Sequence, residues 1–161
     1  MRLVLLRHAH AGDRDPTRYP DDAERPLTAK GRKIQARTSR ALKKLGVRCD
    51  LVLTSPWRRA AETAAILADA LGLEAPRVSD ALAAPPDLDR LGRDLADVDP
   101  GATVVLVGHE PWLGELGSLL LAGGTDRLAI DFPKSGLLCL ELERLEPGAA
   151  RLRWFLRPKL L

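Results

Sequence analysis

The chain has 161 residues, 45% of them apolar and 29% charged, which fits one soluble globular domain large enough to bury a core. A net charge of +3 is too slight an excess for a polyanion binder, so no nucleic-acid partner is expected. Two distant cysteines, Cys49 and Cys139, suggest neither a disulfide framework nor a zinc site, and the apolar run Leu3–Leu6 is too short for a signal-peptide core or a membrane span; a cytoplasmic protein with reduced thiols and no membrane partner is expected.

Leu3 to Leu6 reads as a first strand, ending in Arg7-His8. Gly12 to Pro26 is polar, contains Pro16, Pro20 and Pro26, and reads as a loop near the site. Thr28 is a good N-cap for a helix in which Ile34, Ala41, Leu42 and Leu45 share a face and Gly46 marks the end. Lys30, Arg32, Lys33, Arg37, Arg40, Lys43, Lys44 and Arg48 cluster in this stretch, readable as a solvated helix face or as a docking surface for an acidic partner.

Leu51-Val52-Leu53 is the second strand, after which Ser55 as N-cap and Pro56 at the first position open a helix. Ala60, Ala64, Leu67, Ala68 and Leu71 form its apolar stripe, and Gly72 stops it. A short strand at Arg77-Val78 and a helix from Leu88 to Val98 follow. Thr103 to Val107 is the clearest strand, β-branched and apolar, and runs into Gly108-His109. A helix after Pro111 carries Leu113, Leu116, Leu119, Leu120 and Leu121 up to Gly123-Gly124. Leu137–Leu142 and Leu152–Leu156 read as late antiparallel edge strands. This alternation predicts a single α/β domain over 1–161, a three-layer sandwich with a mostly parallel sheet and helices on both faces.

Three strands of such a sheet would end at one edge, where ligand sites form. They deliver Arg7-His8, the segment Ser55 to Arg59, and Gly108-His109-Glu110-Pro111. Arg is rarely buried without a partner, so an anion should meet it. An imidazole can attack phosphorus and carry the phosphoryl group. Arg offers a planar fork of permanent charge to two phosphoryl oxygens. Two Arg and two His around one phosphate make a preorganised electrostatic cradle. There is no Walker-type glycine loop and no evident magnesium-binding carboxylate pair, so metal-free chemistry without a cofactor is expected.

Leu6-Arg7-His8-Ala9 resembles the RHG motif of the histidine phosphatase superfamily, the phosphoglycerate-mutase-like proteins. Arg25-Pro26-Leu27-Thr28-Ala29-Lys30-Gly31 is similar to its PLTxxG segment. Ser55 to Ala64 resembles its SxxxRAxxTA segment, and Gly108 to Pro111 its GHxP segment. The short length, with no large insertion after the third strand, is most similar to the small SixA-like phosphohistidine phosphatases.

The resemblance implies that His8 is the phosphorylated nucleophile and that Arg7, Arg59 and His109 bind the phosphoryl group, with Arg58 pointing elsewhere. It also implies a phosphatase with a phosphohistidine intermediate. Its substrate would be a phosphorylated protein, such as a histidine phosphotransfer domain, or a small phosphorylated metabolite or nucleotide. A phosphate-binding module without turnover is the reading from another class. Two departures stand out. Ala9 replaces the usual Gly, and Ala81 to Pro86 carries no acid where the mutase-like branch has a proton donor. Asp80, Asp87 and Asp89 are candidates for a displaced acid, Glu110 for orienting His109 or opening a helix, His10 for the pocket rim, and Trp57 and Trp112 for the pocket wall or the core.

Overall fold

Alternation with a period of two decides which helix covers which strand face. A computed structural model describes residues 1–160, and residue 161 of the expected domain lies outside the described residues. Its strands are β1 (Arg2–Arg7), β2 (Leu51–Thr54), β3 (Arg77–Val78), β4 (Thr103–Gly108), β5 (Leu137–Leu142) and β6 (Ala150–Leu156). Its α-helices are α1 (Ala29–Lys44), α2 (Arg58–Leu71), α3 (Leu88–Asp94) and α4 (Trp112–Ala122). One sheet has the order β3-β2-β4-β1-β5-β6. β1, β2, β3 and β4 run parallel, β5 is antiparallel to β1, and β6 is antiparallel to β5.

In β1, Leu3 and Leu5 face a core shared with Leu91, Leu95, Leu113, Leu116 and Leu120, so α3 and α4 lie on that side. Val4 and Leu6 face the opposite core with Leu42, Ala60, Ala64, Leu67 and Ala68, so α1 and α2 lie there. β4 is buried along its whole length, as expected for a strand covered on both faces. This is the mostly parallel, three-layer α/β sandwich with an antiparallel edge. No helix among the described residues is long and apolar enough to cross a membrane.

Several local expectations are corrected. α1 does not bury Ile34, Ala41 and Leu45 as its main face; Leu45 is 63% exposed. The buried face is Gly31, Gln35, Thr38, Ser39 and Leu42. The side chains opposite are the alanines of α2, so α1 approaches closely and small polar groups fill the seam; Gln35 Nε2 donates to Ser39 Oγ at 3.2 Å. α3 stops at Asp94, four residues before the expected end at Val98. β6 begins two residues earlier than expected, at Ala150.

The segment before α2 also differs. The helix starts at Arg58 with Trp57 as the capping residue, so Ser55 is not its N-cap and Pro56 precedes it. Ser55 Oγ accepts from Trp57 N at 3.2 Å, and its side chain is claimed by a second partner at the sheet edge. Thr28, by contrast, caps α1 as expected, its oxygen accepting from Gly31 N at 3.0 Å.

Gly31 is fixed by a close approach. A Cβ there would collide with the His10 carbonyl oxygen. The first turn of α1 thus packs on the loop that leaves β1, which accounts physically for the glycine three residues after Thr28.

Candidate active site

β1, β2 and β4 end side by side, and the register pairs Arg7 with Gly108 and Thr54 with Val107. His8, Ser55 and His109 follow directly. The pairing therefore brings together residues separated by up to a hundred positions in sequence. The cleft at this edge has a volume of about 450 Å³, and His8, Arg7, Arg59, His109, Trp57 and Trp112 are among its lining residues. A larger cleft of about 970 Å³ opens at the opposite edge around Arg2, Arg48, Asp50, Thr103 and Glu141. It contains no histidine, so the phosphoryl chemistry belongs to the smaller one.

His8 is buried, and its ring hydrogen bonds fix its tautomer. Nδ1 lies 2.7 Å from the Ala9 carbonyl oxygen, which can only accept, so Nδ1 carries the proton. Nε2 therefore carries the lone pair and accepts from Arg59 Nε at 3.3 Å. Burial lowers the pKa of His8 to about 3, and the charges of Arg59, Arg7 and Lys134 act in the same direction. The ring is neutral at physiological pH, with an in-plane lone pair at Nε2.

Arg59 sits in the first turn of α2 with only 4% exposure. Its Nη2 lies 3.2 Å from Asp22 Oδ2, its Nη1 donates to the Asp22 carbonyl at 2.7 Å, and its guanidinium stacks 4.5 Å from the Trp57 ring centroid. Arg7 is held differently. Nη1 donates to the Phe132 carbonyl at 2.6 Å, Nε is buried without a partner, and none of the ion pairs among the described residues involves it. An unpaired half-buried guanidinium beside a neutral imidazole is a ready anion site.

The His109 ring lies tilted against its neighbours, 5.1 Å from His8 and 4.5 Å from Trp57, centroid to centroid. Its Nε2 lies 2.8 Å from Ser55 Oγ. Ser55 Oγ also accepts from Trp57 N at 3.2 Å, so one hydroxyl links the start of α2 to His109. His109 Nδ1 is buried and without a partner. Burial, then the neighbouring His8 and Arg59, lowers its pKa to about 2.

The remaining sequence candidates divide cleanly. Trp57 and Trp112 wall the cleft, 5.8 Å apart edge to face. Arg58 is exposed and pairs with Glu62 at 3.1 Å. His10 is half-buried outside the cleft lining, its Nδ1 3.0 Å from Thr28 Oγ1. Asp87 caps α3 and Asp80 pairs with Arg90, and neither they nor Asp89 line the cleft. Glu110 does line it. Its Oε1 accepts from Gly114 N at 3.1 Å, and burial raises its pKa despite the charge of Arg7. Ala9 lies outside the positive-φ region, so the Cβ in place of glycine costs no backbone strain.

Three cleft residues, Asp22, Arg25 and Lys134, and one behind the cleft, Ser55, have roles that the sequence did not assign. Asp22 pairs with both Arg25 and Arg59, and the Arg25 bond lowers its pKa. Ser55 serves His109 and not the helix. Arg25, inside a quoted motif, donates to the Gly12 carbonyl at 2.7 Å and pins the loop over the site. Lys134 precedes Ser135, which has φ 60° and hydrogen-bonds to the Arg7 carbonyl, so the turn points a lysine into the cleft. Burial and the nearby Arg7 lower its pKa. No sequence periodicity marks Lys134; only the return of the chain beside β1 brings it there. Among the described residues, no three His, Cys, Asp or Glu side chains converge in a metal-ligand geometry.

Residues 3–83 match the family model of the histidine phosphatase superfamily, branch 1. An uncharacterised protein of Picosynechococcus is 37% identical over 158 residues, covering 95% of this chain and 89% of that one. Among solved structures, the protein histidine phosphatase SixA complexed with tungstate superimposes with a TM-score of 0.81 at 27% identity, covering 99% of each chain. A candidate phosphohistidine phosphatase SixA of Agrobacterium tumefaciens gives 0.75 at 27% identity, over 98% and 97% of the two chains. A mycobacterial glucosyl-3-phosphoglycerate phosphatase shares the fold, with a TM-score of 0.70 at 21% identity over 95% and 97% of the chains. The chain belongs to the histidine phosphatase superfamily and is a phosphatase of SixA-like build.

Proposed function

We propose that this phosphatase removes the phosphoryl group from protein phosphohistidine through a covalent intermediate on His8, without a metal ion. The observation that carries the reading is the state of His8: neutral at physiological pH, tautomerically fixed, with its lone-pair nitrogen facing Arg59 and beside an unpaired Arg7.

In the first step His8 Nε2 attacks phosphorus. The P–Nε2 bond forms, the bond from phosphorus to the substrate nitrogen breaks, and its electron pair stays on the substrate ring, which carries a proton on its other nitrogen and so departs as neutral imidazole. Arg7, Arg59 and His109 hold the equatorial oxygens, with Arg59 exchanging its bond to Nε2 for one to the phosphoryl group. Water then attacks the phosphoryl group, the P–Nε2 bond breaks with its pair returning to His8, and phosphate leaves with the water's proton lost to solvent. The two guanidinium charges supply the electrostatic stabilisation that magnesium provides in other phosphotransferases. That SixA, a protein histidine phosphatase, has been seen with tungstate, a tetrahedral oxyanion, supports the reading.

The test is a rate comparison across a phosphohistidine protein, a phosphoserine peptide, sugar phosphates and nucleotides, with and without chelator. Fastest turnover of phosphohistidine, indifferent to EDTA, with phosphate trapped on His8 after rapid acid-free quenching, is the expected result. Fastest turnover of a small ester would move the assignment to metabolite hydrolysis. Stoichiometric binding without phosphate release would make the protein a sensor.

A further inference from the structure

α1 carries a second feature that phosphoryl chemistry does not use. Lys30, Lys33, Arg37, Arg40 and Lys44 are spaced by three, four, three and four residues and are all exposed. At 3.6 residues per turn they fall within an arc of roughly 80°, a stripe about 21 Å long. The stripe lies opposite the buried face of α1, and residues 29–48 contain no Asp or Glu.

Among the described residues, intramolecular partners do not neutralise it. Arg32 pairs with Glu62, and Lys43 donates to the Ala70 carbonyl, but both lie off the stripe. On the stripe, Arg37 donates to the Pro158 carbonyl, a neutral acceptor. Among the described residues, none of the five has a carboxylate within ion-pair distance. Like charges at three- and four-residue spacing repel one another and cost helix stability. A cluster of acids lies elsewhere: Asp80, Asp87, Asp89, Asp94, Asp97 and Asp99 fall in and around α3, on the other side of the sheet.

The stripe also meets the cleft. Its first residue, Lys30, lies in the first turn of α1 between Thr28 and Gly31, both of which pack on the His10 carbonyl, Thr28 N donating to it at 2.9 Å. The loop that continues from His10 supplies Gly12, Asp13 and Arg14 to the cleft lining. Lys134 and Arg14 thus line the cleft, and Lys30 opens the stripe in the helix turn that packs against the same loop.

We propose that α1 is the docking surface for the protein that carries the phosphohistidine, and that this partner presents an acidic helix or strand face to Lys30, Lys33, Arg37, Arg40 and Lys44 while its phosphoryl group enters the cleft. The inference rests on the phosphohistidine reading of the cleft. An acidic protein fits better than a nucleic acid because the stripe is one helix wide, carries no aromatic ring on which a base could stack, and leads into a site that must receive a group borne by the partner.

The experiment uses full-length enzyme, an acidic histidine phosphotransfer domain phosphorylated with phosphoramidate, and phosphoramidate itself as the small substrate. K33E/R40E/K44E reverses the stripe at three exposed positions away from the cleft; K33R/R40K/K44R keeps its charge. The reversed variant is expected to lose about 10–100-fold in kcat/KM on the phosphorylated domain at low salt, and the salt dependence should flatten. Turnover of phosphoramidate should stay within about twofold of wild type, and the charge-preserving variant should act normally on both. Binding of the unphosphorylated domain is measured separately by calorimetry. If wild type binds the domain, the reversed variant does not, and neither turns it over, docking stands and the phosphohistidine reading falls. Equal turnover of the phosphorylated domain by wild type and the reversed variant overturns docking and leaves the chemistry intact. Failure of wild type to bind the domain also overturns it, as would a stripe whose reversal abolishes only duplex DNA binding, anionic vesicle binding or self-association.

Discussion

Arg59 Nε and His8 Nε2 lie 3.3 Å apart, so the donor of one catalytic candidate caps the only lone pair on the ring of the other. This contact holds the imidazole in orientation and in its Nδ1-protonated tautomer before substrate arrives. It also means that the guanidinium must change partners when a phosphoryl group enters. Asp22, which pairs with Arg59 at 3.2 Å, acts as the resting counter-charge.

The low pKa of His8 has a consequence for stability. The unfolded chain takes up a proton on each histidine as pH falls through about 6.5. The folded chain resists protonation down to about 3 at His8 and about 2 at His109. Their contribution is complete above the unfolded pKa and is lost progressively below it. His8→Gln should therefore weaken the acid dependence of folding and abolish turnover while the protein stays folded. Urea midpoints near neutrality and near about pH 4.5 check this. An unchanged acid slope would mean that His8 titrates in the folded protein near its unfolded value, and that burial does not hold the ring neutral.

Asp22 competes with substrate for Arg59 and Arg25. Asp22→Asn should tighten inhibition by phosphate or tungstate by about threefold to tenfold, because a carboxylate leaves an anion site. Inhibition constants from steady-state kinetics measure the effect. Weaker inhibition would show that Asp22 acts mainly by positioning Arg59.

The leaving group discriminates between the carboxylates. Glu110 lines the cleft, but its Oε1 is committed to the Gly114 amide at the start of α4. Without a dedicated donor, rates should fall steeply from phosphoramidates through aryl phosphates to alkyl phosphates. Neutral imidazole, whose conjugate acid has a pKa of about 6.5, departs unaided, whereas an alkoxide needs general-acid help worth about 10²–10⁴-fold. Glu110→Gln should leave that plot of rate against leaving-group pKa unchanged. A flat plot in wild type that turns steep in the variant would identify Glu110 as the proton donor.

Gly31→Ala should destabilise the fold by about 1–3 kcal/mol, since its Cβ would be forced against backbone and not a flexible side chain. The displaced loop carries Gly12, Asp13 and Arg14, so KM should rise as well. Chemical denaturation and kinetics on one preparation test both. A neutral substitution would mean that the α1–His10 contact yields easily.

Much of this protein is determined locally. Short apolar runs ending in Arg7-His8, Thr54-Ser55 and Gly108-His109 fix strands and place reactive groups at their ends, because a strand's direction and period follow from a few neighbouring residues. Thr28 as a cap and Gly72 and Gly123 as left-handed stops are similarly legible. What the tertiary structure alone decides is set by contacts between distant segments. The buried face of α1 is Gln35, Thr38 and Ser39 because the alanines of α2 allow close packing, which no hydrophobic period reveals. Ser55 is diverted from helix capping because β4 delivers His109 beside it. Asp22 and Lys134 enter the cleft only because their loops fold back over β1, and loop paths depend on what they pack against more than on their own residues.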